Sequence, residues 1–122
     1  YLIISKMMIE NSFVVFKDGG EFSINLSFFD IKTESTKGFL EELILLFKAE
    51  GRVTFEILES EGIEDFDIVK EFLNYFREKY NVKIAIDDFG SGYSNFKRIM
   101  DLKPDFIKID GSLIKDIAVD SN

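Results

Sequence analysis

Three stretches of this chain alternate apolar and polar residues with period two. Residues 22–27 read Phe-Ser-Ile-Asn-Leu-Ser, residues 52–57 read Arg-Val-Thr-Phe-Glu-Ile, and residues 82–87 read Val-Lys-Ile-Ala-Ile-Asp. That period places alternate side chains on opposite faces of an extended chain, so each stretch is expected to be a strand. A fourth strand is expected over residues 105–110, after the turn at Lys103-Pro104. Between the strands the period changes to that of a helix. Phe39, Leu40, Leu43, Ile44 and Phe47 form one stripe over residues 39–48, with Gly51 as its stop, and Ile68, Val69, Phe72, Leu73 and Phe76 form another over residues 67–79. Residues 2–16, with Ile3, Met7, Ile9, Phe13, Val14 and Phe16, predict a first helix that Asp18-Gly19-Gly20 ends. A short helix is expected over residues 95–101, and residues 112–117 read as the start of another.

Strands that alternate with helices imply parallel βαβ units whose right-handed crossovers bring all strand C-termini to one edge. Asn25, Glu56, Asp87 and Lys108 stand at those ends, spaced 31, 31 and 21 residues apart. Alternation puts them on one face, above Ser23, Thr54, Ala85 and Phe106, while Phe22, Ile24, Leu26, Val53, Phe55, Ile57, Val82, Ile84, Ile86, Ile107 and Ile109 form the face under the helices. An open doubly wound sheet covers both faces and would show near-continuous apolar strands. A TIM-type (β/α) barrel with a polar site at one end of its lumen fits better. Eight units take about 250 residues, so the fold class is α/β and the four units here make about half a barrel. Such a half is expected to present open strand edges that invite pairing with another chain.

Composition narrows the chemistry. The chain has 122 residues, 46% hydrophobic, with 14 Phe, enough for one packed core, and no run approaching the roughly 18 apolar residues of a membrane span. Cysteine and histidine are both absent, which removes thiolate zinc sites, thiol nucleophiles, imidazole bases and Ser-His-Asp arrangements. A net charge of -8 argues against DNA or RNA as a partner, because phosphate backbones require basic surface. Chemistry is left to carboxylates, Asn, Lys and a metal.

The run Asp87-Asp88-Phe89-Gly90-Ser91-Gly92-Tyr93-Ser94 sets two adjacent acids on a glycine-rich turn. Adjacent carboxylates repel, and a cation relieves that. With Asn25 and Glu56 they offer oxygen only, which suits Mg²⁺ or Mn²⁺. A purely structural role is the alternative, with Asp87-Asp88 opening the turn and Asn25 capping its strand. Lys108 could neutralise an acid, bind a phosphate, hold a water or form a Schiff base, or it could only pair with Asp87 or Asp110. Glu59 could accept hydrogen bonds from the backbone of residues 90–93, or be solvated. The triplet Asp88-Phe89-Gly90 also occurs in protein kinases, but no His-Arg-Asp loop is possible without histidine.

Together these motifs resemble the bacterial EAL domains, phosphodiesterases that linearise cyclic di-GMP. The resemblance runs in order through Ser23-Ile24-Asn25-Leu26-Ser27, Glu56-Ile57-Leu58-Glu59-Ser60, the run from Asp87 to Ser94, and Lys108-Ile109-Asp110. It implies a two-metal site in which Asn25, Glu56 and Asp87 hold one ion and Asp87 and Asp88 the other. Lys108 would orient the attacking water, and Glu59 would steady the loop Phe89 to Ser94, which the family associates with metal binding and homodimer contacts. Fused sensory or GGDEF-type domains and a cytoplasmic location are further implications. The alternative within the resemblance is a catalytically inactive module that binds cyclic di-GMP or a protein.

Two departures from the family pattern bear on activity. The glutamate of the Glu-Ala-Leu motif is expected before Tyr1 and another metal-binding glutamate after Asn122, so residues 1–122 are expected to be a partial EAL domain; Gly111 replaces an arginine common in the family. The 122-residue chain alone is therefore expected to be inactive. Cleavage of cyclic di-GMP by the purified chain with Mg²⁺ or Mn²⁺ would overturn that expectation.

Overall fold

Alternation carries directly into burial. In the computed structural model, which describes residues 2–58, 65–87, 96–109 and 112–115, β1 (Phe22–Leu26) buries Phe22, Ile24 and Leu26 and exposes Ser23 and Asn25. β2 (Val53–Leu58) buries Val53, Phe55 and Ile57 in the same manner. β3 (Lys83–Asp87) buries Ile84, Ala85 and Ile86, and β4 (Phe106–Ile109) buries Ile107. These four strands pair in parallel and in sequence order, with Asn25 level with Glu56, Glu56 with Ala85, and Ala85 with Phe106.

Helices pack on the apolar face. α1 (Leu2–Val15) precedes β1, α2 (Phe28–Lys32) and α3 (Glu34–Leu46) link β1 to β2, α4 (Phe66–Tyr80) links β2 to β3, and α5 (Phe96–Asp101) links β3 to β4. The core joins Phe13, Leu40, Ile44, Leu73, Phe76, Ile99 and Leu102 to Phe55, Ile84 and Ile86 of the strands. Phe55 and Phe76 meet edge to face with centroids 5.2 Å apart. Each such side chain contributes about 1.5 to 3 kcal/mol by leaving water. The result is an arc of a (β/α) barrel, four parallel strands long.

Helix ends follow from local chemistry. The Asp65 carboxylate accepts hydrogen bonds from the N–H groups of Asp67 and Ile68, which opens α4, and Asn81 closes it in the left-handed conformation at φ 55°. Asp67 in the first turn and Arg77 and Lys79 in the last complement the helix dipole.

Three departures from the sequence pattern have physical causes. α2 lies where only a connection was expected, because Ser27 and Asp30 form a reciprocal capping box: each backbone N–H donates to the other's side chain at 3.0 Å. α3 begins at Glu34, ahead of its apolar stripe, and ends at Leu46 because Lys48 turns to φ 51°; Gly51, at φ +79°, serves the turn into β2 instead of stopping the helix. Residues 112–115 do not start a helix, and residues 116–117 lie outside the described residues. β5 (Ser112–Lys115) returns antiparallel along β4, with Ile109 opposite Ser112, so the edge of β4 is paired. The intervening Asp110-Gly111 is a strong two-residue hairpin sequence that outweighed the weak helical reading. On the helices, Met7, Val14 and Ile68 are exposed, and the buried stripe of α1 rests on Ile9 and Phe13.

Long-range polar contacts brace the ends of the strands away from the candidate site. Arg52 donates to the carbonyls of Phe16, Gly20 and Phe47, and Arg77 to those of Leu102 and Lys103. Asp105 accepts from the Ile84 N–H at 2.8 Å while its own N–H donates to the Ile84 carbonyl at 2.7 Å. Between α3 and α4, one oxygen of Glu41 accepts hydrogen bonds from Tyr75, from Tyr80 at 2.6 Å and from Lys79 at 3.2 Å. Those donors, Tyr75 first and Tyr80 second, hold the Glu41 carboxyl below its usual range.

A carboxyl lowered by folding adds stability above its unfolded pKa, and that stability is lost as pH falls through the folded pKa. Glu41→Ala is expected to lose about 2 kcal/mol at neutral pH. The deficit against wild type should shrink on acidification below the ordinary carboxylate range, as read by denaturant unfolding at a series of pH values.

Candidate functional site

Strand register assembles the site. Because Asn25, Glu56, Ala85 and Phe106 are level across four neighbouring strands, Asp87 and Lys108 stand two residues higher on the same face, about 7 Å toward the strand ends. Asn25 is exposed, Glu56 and Asp87 are half-buried, and Thr54 and Phe106 line the level below or beside them. β3 lies between β2 and β4, so any contact between Glu56 and Lys108 must cross it.

That contact is made. Lys108 Nζ donates to Glu56 Oε2 at 2.8 Å, with the two side chains 32% and 12% exposed. The residue beneath the crossing is Ala85, 2% exposed, whose single methyl leaves the lysine a path over β3. The Glu56 hydrogen bond is the main reason the Lys108 ammonium is held above its ordinary pKa; burial opposes it, and the charges of Glu56 and Asp87 add to it. Lys108 is fully protonated at neutral pH in this setting. Among the described residues its hydrogen-bond partner is Glu56, two strands away, rather than Asp87 on the adjacent strand; Asp110 lies outside the described residues.

Of the residues singled out in the sequence, the described structure brings Asn25, Glu56, Asp87 and Lys108 to one face at one end of the sheet. Glu59, Asp88, Phe89, Gly90, Ser91, Gly92, Tyr93, Ser94 and Asp110 lie outside the described residues. Sequence reasoning placed Ala85 on the correct face without seeing its part in the Glu56–Lys108 contact. Its signal was size: among Ser23, Thr54, Ala85 and Phe106 it alone combines a minimal side chain with a central strand.

Among the described residues no three acidic side chains cluster closely enough to enclose a metal ion. What they offer is an amide oxygen and two carboxylates, from Asn25, Glu56 and Asp87, at the strand ends. Oxygen-only donors fit Mg²⁺ or Mn²⁺, which keep several water ligands.

The model of the EAL domain matches residues 4–122, nearly the whole chain. The chain belongs to the EAL domain family. A cyclic di-GMP phosphodiesterase, PdeA of Borreliella burgdorferi, is 36% identical over 120 residues, 95% of this chain and 18% of that protein. A probable cyclic di-GMP phosphodiesterase, PdeA of Escherichia coli, is 34% identical over 109 residues, covering 86% of this chain and 14% of that protein. The chain thus spans less than a fifth of the length of these curated relatives. Among solved structures, the EAL domain of Mycobacterium smegmatis DcpA superposes with a TM-score of 0.76 at 25% identity, over 87% of this chain and 51% of that one. The Pseudomonas aeruginosa FimX EAL domain bound to c-di-GMP gives 0.76 at 21% identity, over 88% and 45%.

The crossing over Ala85 gives a direct test of this EAL arrangement. Ala85→Leu would put a branched side chain beneath the Lys108 stem and part it from Glu56. Unfolding by denaturant should show a loss of about 1 to 3 kcal/mol from overpacking and the strained ion pair. Unchanged stability would mean that the crossing has room to spare.

Proposed function

We propose that this EAL chain is part of a metal-dependent phosphodiesterase that hydrolyses cyclic di-GMP to linear pGpG. The observation that carries the reading is the convergence of Asn25, Glu56, Asp87 and Lys108 at one end of the sheet in a chain matched by the EAL model over residues 4–122. The names of the relatives in B. burgdorferi and E. coli supply the substrate.

In this proposal Asn25, Glu56 and Asp87 hold one Mg²⁺ or Mn²⁺ ion, and Asp87 with Asp88 a second. Bound divalent ions lower the pKa of water and stabilise charge on both oxygens of an in-line displacement at phosphorus. Lys108, a protonated donor beside Glu56, orients the attacking water by hydrogen bonding. The water oxygen bonds to phosphorus, the bond from phosphorus to the 3′ oxygen breaks, and the product carries a free 3′-hydroxyl and a 5′-phosphate. Glu59 braces the loop Phe89 to Ser94, and the same loop supports a homodimer. Asp110, at the end of the Lys108 motif, completes the substrate side. A cation is also what allows a chain of charge -8 to receive a phosphodiester. The catalytic unit extends beyond residues 1–122, accompanied by sensory or GGDEF-type domains, and works in the cytoplasm. Among the described residues no helix is long and apolar enough to cross a membrane.

Chromatography of nucleotide products decides the matter for the whole protein that contains this chain. Conversion of cyclic di-GMP to pGpG with Mg²⁺ or Mn²⁺ is expected, with loss on chelation. Second-layer partners of metal sites are worth about 10- to 100-fold, so Asp87→Asn, which changes a proposed direct ligand, should lose about 100-fold or more. Tight binding of cyclic di-GMP without cleavage would identify a signal-binding module instead.

A further inference from the structure

Lys108 and a divalent cation would call on the same carboxylate, that of Glu56. Glu56 Oε2 accepts from Lys108 Nζ at 2.8 Å, and the Glu56 side chain is 12% exposed. A Mg²⁺ or Mn²⁺ ion held by that carboxylate would be bound directly through oxygen. Two cations sharing one carboxylate would lie close enough to repel in a partly buried site. Withdrawal of the ammonium would relieve that repulsion, and the small Ala85 methyl, level with Glu56 on β3, leaves room on that face for the lysine stem to move.

We propose that Lys108 is a built-in competitor of the divalent cation at Glu56, so that ion loading drives the lysine from the Glu56 carboxylate toward the space where a substrate water would stand. The inference rests on the metal reading of the preceding section. It adds that the lysine sets metal affinity as well as positioning water. Lysine in such a site keeps Glu56 neutralised and hydrogen-bonded until an ion replaces it, and the replacement moves the lysine.

Calorimetric titration of the whole protein that contains this chain with Mn²⁺ tests the competition without reference to turnover. Removing the competitor should tighten Mn²⁺ binding to Lys108→Met and Lys108→Gln by roughly 5- to 150-fold, the usual range of coupling between two ligands. Equal or weaker binding by both variants overturns the proposal, since a lysine that only orients water leaves affinity unchanged and one that builds the site supports it. Should Lys108→Met fail to fold, the glutamine variant and lysine ¹³Cε resonances of the wild type decide. The Lys108 resonance should shift on titration with Mg²⁺, and a stationary resonance at saturating Mg²⁺ overturns the proposal. Glu56→Gln separates the two readings. Weaker Mn²⁺ binding by that variant supports the metal reading on which the competition depends, and unchanged binding would remove the metal reading itself.

Discussion

Every functional feature of this chain depends on parallel strand register with strict alternation. Strands pair at a fixed spacing and successive side chains point to opposite faces, so one face can be wholly apolar while the other remains polar. Phe22, Ile24, Val53, Phe55, Ile57, Ile84 and Ile86 bury the first face beneath the helices. The second face receives Asn25, Glu56, Asp87 and Lys108 without interrupting the core. A register slip of one residue would exchange the faces, burying two carboxylates in apolar surroundings and exposing the aliphatic residues. Burial on one side therefore holds the site on the other.

Stability devices and chemical groups occupy different regions of the arc. Arg52, Arg77 and Asp105 tie loops and helix ends to the strands, and Glu41 links α3 to α4 through Tyr75, Tyr80 and Lys79. None of these groups lies at the strand ends where Glu56 and Lys108 meet. The same division holds across barrels of this class, in which C-terminal strand ends carry chemistry and the opposite face carries stability. It sets the Glu56–Lys108 contact apart from the groups that brace the scaffold.

The strands and the larger helices were legible because their apolar periods are strong and uninterrupted over residues 53–57, 69–76 and 84–86. What escaped was governed by shorter signals. α2 depends on the two reciprocal bonds between Ser27 and Asp30, and β5 on a hairpin sequence, Asp110-Gly111, that competed with a helical reading of Ser112-Leu113-Ile114. Exposure of Met7 and Ile68 shows a further limit: an apolar residue beside a stripe joins the core only where a neighbour faces it.

The sequence by itself determined the strand order of chemistry, the polarity of each face, the absence of histidine and cysteine reactions, and the oxygen-only donor set. Those are local properties of residue type and spacing, and they do not change with the path of the chain. The pairing of Lys108 with Glu56 was decided only in three dimensions. The two residues are 52 positions apart, on strands that are not neighbours, and they meet because register sets Glu56 level with Ala85, whose small side chain lets the lysine cross. Spacing along the chain names the groups that share an edge; which charge reaches which depends on the height of each strand in the sheet and on the bulk of the side chain between them.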